Sequence, residues 1–312
     1  MGNNKKNLYD VIIIGAGPAG LCASIYASRY RIKHLVIADV LGGLVSEAYK
    51  IENYPGYPSI LGSNLALKLV SQTKKLGAQI IQDEVTEIKK TKKGFILKVR
   101  SGNKYQSKAL ILAFGTKRRK LNIEGEEKFL GKGVSYCATC DGPFFKNKIV
   151  AVIGGGDSAA TAALHLSEFA KKVYLILREE KMKAEPFWQE EIKKNSRLEI
   201  IYKTSVLKLE GKEVLSHLIL DQPYLGKKSL KIDGLFIEIG FVPSTTLIKN
   251  LKVKLDEFGF IKIKEDGSTN IKGVYAAGDI TTGSNKFQQI ITACAEGAIA
   301  AHSSYLYLKK LQ

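Results

Sequence analysis

Asp10-Val-Ile-Ile-Ile14-Gly15-Ala-Gly17-Pro-Ala-Gly20 reads as a strand running into a glycine turn. Its apolar run is too rich in β-branched residues for a helix, and the glycines open an alanine-rich segment that reaches about Tyr30. A second apolar run, His34 to Ala38, ends at Asp39. The pattern predicts a βαβ unit with a G-x-G-x-x-G turn, the fingerprint of a dinucleotide fold. Gly15 permits the tight turn, Gly17 lets a pyrophosphate approach the backbone, and Gly20 lets the helix close on the strand. Free N–H groups and the positive dipole end at the helix start suit phosphate. Asp39, 19 positions after Gly20 (39 − 20), is placed to accept from a ribose hydroxyl.

The same arrangement recurs 139 residues later (154 − 15). Lys148-Ile-Val-Ala-Val-Ile153 leads into Gly154-Gly-Gly156-Asp157-Ser158-Ala159, then a helical segment to about Lys172 and a strand from Val173 to Leu177. One such turn is weak evidence, because glycine-rich turns are common; two complete βαβ units predict a chain that holds two dinucleotides. The offset carries Asp39 onto Arg178. An aspartate suits a free 2′-hydroxyl and an arginine suits a 2′-phosphate, so the first unit reads as an FAD or NAD site and the second as an NADP site. A chain with a flavin and a nicotinamide passes hydride from one ring to the other.

Near the C-terminus, Gly273-Val-Tyr-Ala-Ala-Gly278-Asp279 is a third apolar strand ending in a turn, and Phe287 to Leu308 reads as an amphipathic helix. An aspartate at such a strand end can bond a polyol chain while the helix start faces an anionic ring edge. Between the two glycine turns lies one Cys137-x-x-Cys140. With no second pair and only four histidines, none at ligand spacing, zinc is not expected. Cys22 and Cys294 sit in apolar helical stretches and read as small buried hydrophobes; Phe187 and Trp188 read as packing residues.

Gly15–Gly20, Glu52-Asn53-Tyr54-Pro55-Gly56, Cys137-Ala-Thr-Cys140-Asp141-Gly142, Gly154–Ala159 and Ala276-Ala-Gly-Asp279 resemble the low-molecular-weight thioredoxin reductases in order and separation, over nearly the whole chain. Cys-Ala-Thr-Cys-Asp is the most specific element. The resemblance implies an α/β fold of two Rossmann-like domains, the second inserted into the first. A discontinuous FAD-binding domain would span 1–117 and 247–312, and an NAD(P)H-binding domain carrying the cysteine pair would span 118–246. Ala113-Phe-Gly115-Thr116 and Ile239-Gly240-Phe-Val-Pro243 would be the joints. The resemblance further implies a homodimer that reduces thioredoxin or a glutaredoxin-like protein, with electrons passing from NADPH through FAD to the cysteine pair. Cys140 would face the flavin, Cys137 would attack the partner disulfide, and Asp141 would serve as general acid and base.

Flavin-site residues carried over from the family are Gly15, Gly17, Ala19, Gly20, Asp39, Gly43, Asn53, Gly115, Gly278, Asp279, Gln288, Gln289 and Ile290. Those for NADP are Gly154, Gly156, Asp157, Ser158, Ala159, Arg178 and Lys183. The chain departs from the family in several places. Gln288 stands where arginine is common, Leu44 where glutamine is, and Phe114 interrupts an Ala-Thr-Gly turn. The second unit reads Arg178-Glu179-Glu180-Lys181-Met182-Lys183 in place of an arginine cluster. The alternative is therefore the same flavoprotein disulfide reductase drawing on NADH, ferredoxin or a deazaflavin.

Composition narrows the remaining classes. A chain of 312 residues with 25% charged and 45% hydrophobic residues fits two globular domains, with no run long enough for a membrane span. Four cysteines are too few for a disulfide framework, and Met1–Lys6 carries charge with no apolar signal core after it. Both point to a cytoplasmic protein. The net charge of +18 raises the question of nucleic acid, but the basic residues fall in short scattered runs without interleaved aromatics, as on a solvated surface.

Overall fold

The computed structural model describes residues 8–311; the opening Met1–Lys6 lies outside them. The chain forms two compact units, one running to Lys117 and resuming at Val242, the other spanning Arg118–Phe241.

In the first unit the strand Leu8–Ala16 pairs in parallel with His34–Leu41 on one side and Lys104–Leu112 on the other. Gln79–Gln82 and Val274–Ala276 add further parallel pairings, and the antiparallel strands Gly94–Val99 and Val85–Thr91 complete a seven-stranded sheet. Val11 and Ile13 face one core with Leu21 and Ala300 from the helices Pro18–Arg29 and Ile290–Lys309. Ile12 and Ile14 face a second core with Phe95, Leu97 and Ile248. A strand covered on both faces has no polar side to alternate, which is why the run reads as continuously apolar. His34–Leu41 continues beyond the expected end at Ala38, because a register shift between Ile14 and Ala16 lets Leu41 pair with Ala16. Asp39 thus sits within the strand's last residues.

The second unit holds a five-stranded parallel sheet in the order Val134–Ser135, Gly234–Ile237, Ile149–Ile153, Lys172–Ile176, Leu198–Ile201. A three-stranded antiparallel sheet, Val206–Gly211, Leu215–Tyr224 and Lys227–Lys231, shares one core with it, and the helix Asp157–Ser167 shares the other. The internal repeat is visible in the register: Ile14 pairs with Ile37 and Ile153 pairs with Ile176, both shifted by 139.

Two sequence expectations need adjusting. The helix after Gly156 ends at Ser167, five residues short of Lys172, because the Lys171 N–H turns back to the Lys148 carbonyl and Lys172 begins the next strand. The C-terminal helix begins at Ile290, three residues after Phe287; Gln289 and Thr292 form a reciprocal cap that fixes the start there. Trp188 packs on the core, whereas Phe187, 53% exposed, packs from outside, edge-to-face on the Trp188 ring with centroids 4.8 Å apart. Both chain crossings follow glycines at positive φ, Gly115 (62°) and Gly240 (90°), and the strands after them, Thr116–Arg118 and Phe241–Pro243, pair with each other.

Candidate functional site

The two glycine turns share one geometry, and steric exclusion explains their glycines. Gly15 (φ 108°) and Gly154 (φ 142°) lie where an L side chain is strained, and a Cβ would run into the carbonyls of Ala113 and Glu238 respectively. Gly20 is closed by the Gly15 carbonyl, whereas the second turn accepts Ala159 at the matching position. Gly17 and Gly156 cap their helices in the same extended conformation, with ψ of −176° and −174°. A Cβ on Gly17 would meet only Gly43 Cα, at 4.0 Å, and one on Gly156 would meet nothing within 4 Å. Both leave open space at a helix N-terminus that an added Cβ would begin to fill, so the backbone fits a dinucleotide pyrophosphate in each unit.

The first unit gathers the C-terminal residues around its turn. Gly278 (φ 80°) is packed so that a Cβ would approach Ala19 Cβ to 2.9 Å and Ala293 Cβ to 3.6 Å. The Gln288 side-chain amide donates to the Asp279 main-chain carbonyl at 3.0 Å, and Asn53 donates to Gln289 Oε1 at 3.1 Å. The substitution of Gln288 for arginine therefore leaves a residue tethered to the Asp279 turn. Burial, reinforced by the charge of Glu296, pushes the Asp279 carboxyl up to about 6. Such a carboxylate fits a ligand hydroxyl that donates to it. Asp39 is exposed, its carboxylate accepting from the Val40 N–H at 2.9 Å. Gly115 leaves open space, and Ile290, the first residue of its helix, packs on the core.

Glu296 was not legible as a site residue, and it organises this corner. Its buried carboxylate accepts from the Gly278 N–H at 2.8 Å and the Thr281 hydroxyl at 2.9 Å through one oxygen, and from the Ser284 hydroxyl at 2.6 Å through the other. The available signal was a lone acid in the apolar helical stretch Ala293-Cys-Ala-Glu296-Gly297. Such an acid is buried only when it is bonded.

In the second unit, the Asp157 carboxylate accepts from the Glu185 N–H at 2.7 Å, and the Lys183 N–H donates to the Gly155 carbonyl at 2.7 Å. The segment after Arg178 is thereby tied to the glycine turn, with Ser158 exposed beside it. Arg178 and Lys183 reach the same carboxylate, that of Glu179, at 3.0 and 3.6 Å. The hydrogen bond from Arg178 is the main reason that Glu179 is held below the usual carboxylate range. The two cations expected to read a 2′-phosphate are thus already engaged by an acid of the same loop.

Cys137 and Cys140 are joined as a disulfide with their Cα atoms 5.3 Å apart. Cys137 caps a single helical turn, Ala138–Asp141: its sulfur accepts from the Cys140 N–H at 3.2 Å, and its carbonyl accepts from the Asp141 N–H at 3.1 Å. The Ser135 hydroxyl receives the Cys137 N–H at 3.0 Å. Cys140 is exposed and Cys137 half-buried. Behind the pair, buried Glu126 accepts from the Tyr136 hydroxyl and from the N–H groups of Leu121 and Asn122, at 3.0 and 2.6 Å. It anchors the residue preceding Cys137, a role the sequence did not suggest. Two electrons and a proton suffice to open this bond to a thiol and a thiolate. No cluster of metal-ligating side chains occurs among the described residues.

A family model for pyridine nucleotide-disulphide oxidoreductases matches residues 9–297. A thioredoxin reductase of Listeria monocytogenes is 38% identical over 313 aligned positions, covering 99% of this chain and 97% of that one. Among solved structures, the Lactococcus lactis thioredoxin reductase superposes with a TM-score of 0.92 at 34% identity, over 97% of this chain and 99% of that one. The T. acidophilum thioredoxin reductase gives 0.91 at 38%, over 98% and 100%. With paired glycine turns of one geometry, a Cys-x-x-Cys disulfide and matches of this extent, the chain belongs to the pyridine nucleotide-disulphide oxidoreductase family, among the thioredoxin reductases.

Proposed function

We propose that this chain is a cytoplasmic, homodimeric thioredoxin-disulfide reductase using FAD and NADPH. The observation that carries the reading is the Cys137–Cys140 disulfide, held in the same unit as a second glycine turn. Family membership brings a flavin and a pyridine nucleotide. The unit with Gly15–Gly20 and Asp279 is the FAD-binding domain, and the unit spanning Arg118–Phe241 is the NADPH-binding domain. When bound, the flavin would accept hydride from the nicotinamide and deliver two electrons to a disulfide.

The chain's own residues supply the rest. Gly17 with the start of its helix, and Gly156 with the start of its own, hold the two pyrophosphates; Asp39 orients the adenosine ribose, and Asp279 a flavin hydroxyl. Cys140 takes the reducing equivalents and releases Cys137 as a thiolate, and Asp141 supplies or removes the proton at that sulfur. Cys137 then attacks the disulfide of a thioredoxin or glutaredoxin-like protein. Phe144, 76% exposed four residues beyond Cys140, offers apolar surface for such a partner. Purified protein should be yellow, bleach anaerobically with NADPH and recover colour on adding oxidised thioredoxin. A colourless protein that releases no flavin on denaturation would sink the proposal.

A second reading keeps the chemistry and changes the donor to NADH, ferredoxin or a deazaflavin. The engagement of Arg178 and Lys183 by Glu179 favours it. We expect a modest preference for NADPH over NADH, on the order of 10-fold, equivalent to about 1.4 kcal/mol. Glu179→Gln frees both cations for the 2′-phosphate and should raise that preference by a further factor of about 3 to 5, the scale of an exposed ion pair. Steady-state kinetics with both coenzymes measures it. Equal and negligible flavin reduction by either, unchanged in the variant, assigns the donor to ferredoxin or a deazaflavin.

Asp279 gives a pH dependence whose sign follows from its raised value. A carboxyl whose pKa is higher in the folded chain contributes stability that is present below its ordinary value of 3.8 and lost as pH rises through about 6. The gap of about two units corresponds to roughly 3 kcal/mol. Asp279→Asn should remove this loss, so unfolding of the flavin-free variant at pH 4.5 and 7 should differ less than that of the flavin-free parent.

A further inference from the structure

Ser135 ends the short strand Val134–Ser135, which pairs in parallel with Gly234–Ile237, and the residue is 5% exposed. A buried hydroxyl must be bonded, and this one turns forward onto the residue after next. It accepts the Cys137 N–H at 3.0 Å and donates to the Cys137 carbonyl at 3.4 Å. One side chain thus grips both main-chain polar groups of the cysteine. Tyr136, between them, is held separately through its hydroxyl by buried Glu126.

The grip matters because the turn that follows cannot fix Cys137 by itself. Cys137 caps the single turn Ala138–Asp141, and one isolated turn costs more chain entropy than its first hydrogen bond returns. The cysteine stands in extended conformation, φ −131° and ψ 94°, and there its sulfur accepts the Cys140 N–H at 3.2 Å. A main-chain N–H at a helix start favours the thiolate form of a sulfur. Of the pair, Cys137 receives this donor, although Cys140 is the more exposed. Access alone favours Cys140 as the reactive thiol; the hydrogen bonding favours Cys137.

We propose that Ser135 is a positioning residue for the disulfide exchange: its hydroxyl keeps Cys137 in the capped conformation after the Cys137–Cys140 bond opens, and so selects Cys137 over the more exposed Cys140 as the attacking thiolate. The inference rests on the reductase reading above. In the exchange the Cys137 thiolate bonds one partner sulfur, the partner S–S bond breaks, and its other sulfur leaves as a thiolate. Cys140 then gives up its proton and bonds the Cys137 sulfur; the mixed disulfide breaks and the second partner sulfur leaves. The enzyme's two sulfurs lose two electrons and the partner's two gain them. The proton of Cys140 and one from water end on the partner thiols. Ser135 touches none of the reacting sulfurs; it acts through the backbone of Cys137.

The test uses the flavin-loaded enzyme, reduced anaerobically with dithiothreitol, freed of it and treated with limiting iodoacetamide at pH 7; peptide masses give the label at each cysteine. In the parent, Cys137 should carry more label than Cys140. Ser135→Ala should weaken the bond to the Cys137 thiolate and cut its population about tenfold, the scale of one hydrogen bond. A more basic sulfur is also the better nucleophile, so the Cys137-to-Cys140 ratio should fall by about 3-fold. Ser135→Thr, which keeps the hydroxyl, should restore the ratio. Tyr136→Phe removes a hydrogen bond from the same segment but leaves the Ser135 grip, so it should lower the unfolding temperature with the ratio unchanged. A parent labelled chiefly at Cys140, a parental ratio in Ser135→Ala, or an equal fall in Tyr136→Phe would each overturn the proposal. Should Ser135→Ala fail to fold, Ser135→Thr against Ser135→Val, alike in shape and differing in the hydroxyl, makes the same comparison. Thioredoxin turnover by the parent is measured separately: its absence removes the reductase reading, whereas the labelling ratio decides the role of Ser135.

Discussion

Replacing Cys140 with serine should leave the flavin fully reducible by the donor while thioredoxin reduction falls by more than about 10³-fold, because a hydroxyl neither attacks nor leaves as a thiolate does. Cys137→Ser should lose thioredoxin reduction to the same degree but keep Cys140 as a free sulfur, seen as a long-wavelength absorption band when its thiolate lies beside the flavin. The pair separates the two sulfurs by spectrum and not by rate alone. Anaerobic titration with the donor, followed by stopped-flow mixing with oxidised thioredoxin, measures both. A Cys140→Ser enzyme that turns over thioredoxin at the parental rate would reverse the assignment. The local geometry supports a structurally mild substitution. The Cys140 N–H that caps on Cys137 belongs to the backbone, and the Ser135 hydroxyl and the Glu126–Tyr136 contact hold the segment on its other side.

What the sequence revealed and what it concealed follow from the range of the interactions involved. The glycine turns were legible because their constraint is local: a positive φ and a carbonyl in the way of a Cβ admit one residue type, and the type is written in the sequence. The register repeat followed, since two buried strands entering the same turn must pair with their neighbours in the same way. The end of the helix Asp157–Ser167 was less legible, because it is set by Lys171 finding the carbonyl of Lys148, a partner 23 positions away (171 − 148). The role of Glu179 was concealed for a similar reason. Adjacent to Arg178 in sequence, it reads as a charge that would repel a phosphate, and only the folded loop shows it binding Arg178 and Lys183 together.

Glu296 is the site residue whose removal should cost most in stability. Glu296→Ala leaves the Gly278 N–H and the Thr281 hydroxyl without their acceptor in a corner where both are buried, while the Ser284 hydroxyl can turn to water. An orphaned buried donor costs about 1–3 kcal/mol, and with the loss of side-chain packing the sum is about 3 kcal/mol, enough to loosen the Gly278–Asp279 turn and release flavin on dilution. Glu296→Gln should behave differently. Its carbonyl oxygen can keep the Gly278 and Thr281 bonds, and its amide can donate to a rotated Ser284 hydroxyl, so the loss should be about 1 kcal/mol. The same change removes the negative charge that helps to raise Asp279, so the carboxyl should titrate below about 6, and the flavin-free variant should lose stability at lower pH than the parent. Denaturant unfolding with flavin fluorescence as the second probe measures both effects. Equal stability of the alanine and glutamine variants would show that the hydrogen bonds do not hold the turn. An unchanged pH profile in the glutamine variant would show that burial alone sets Asp279.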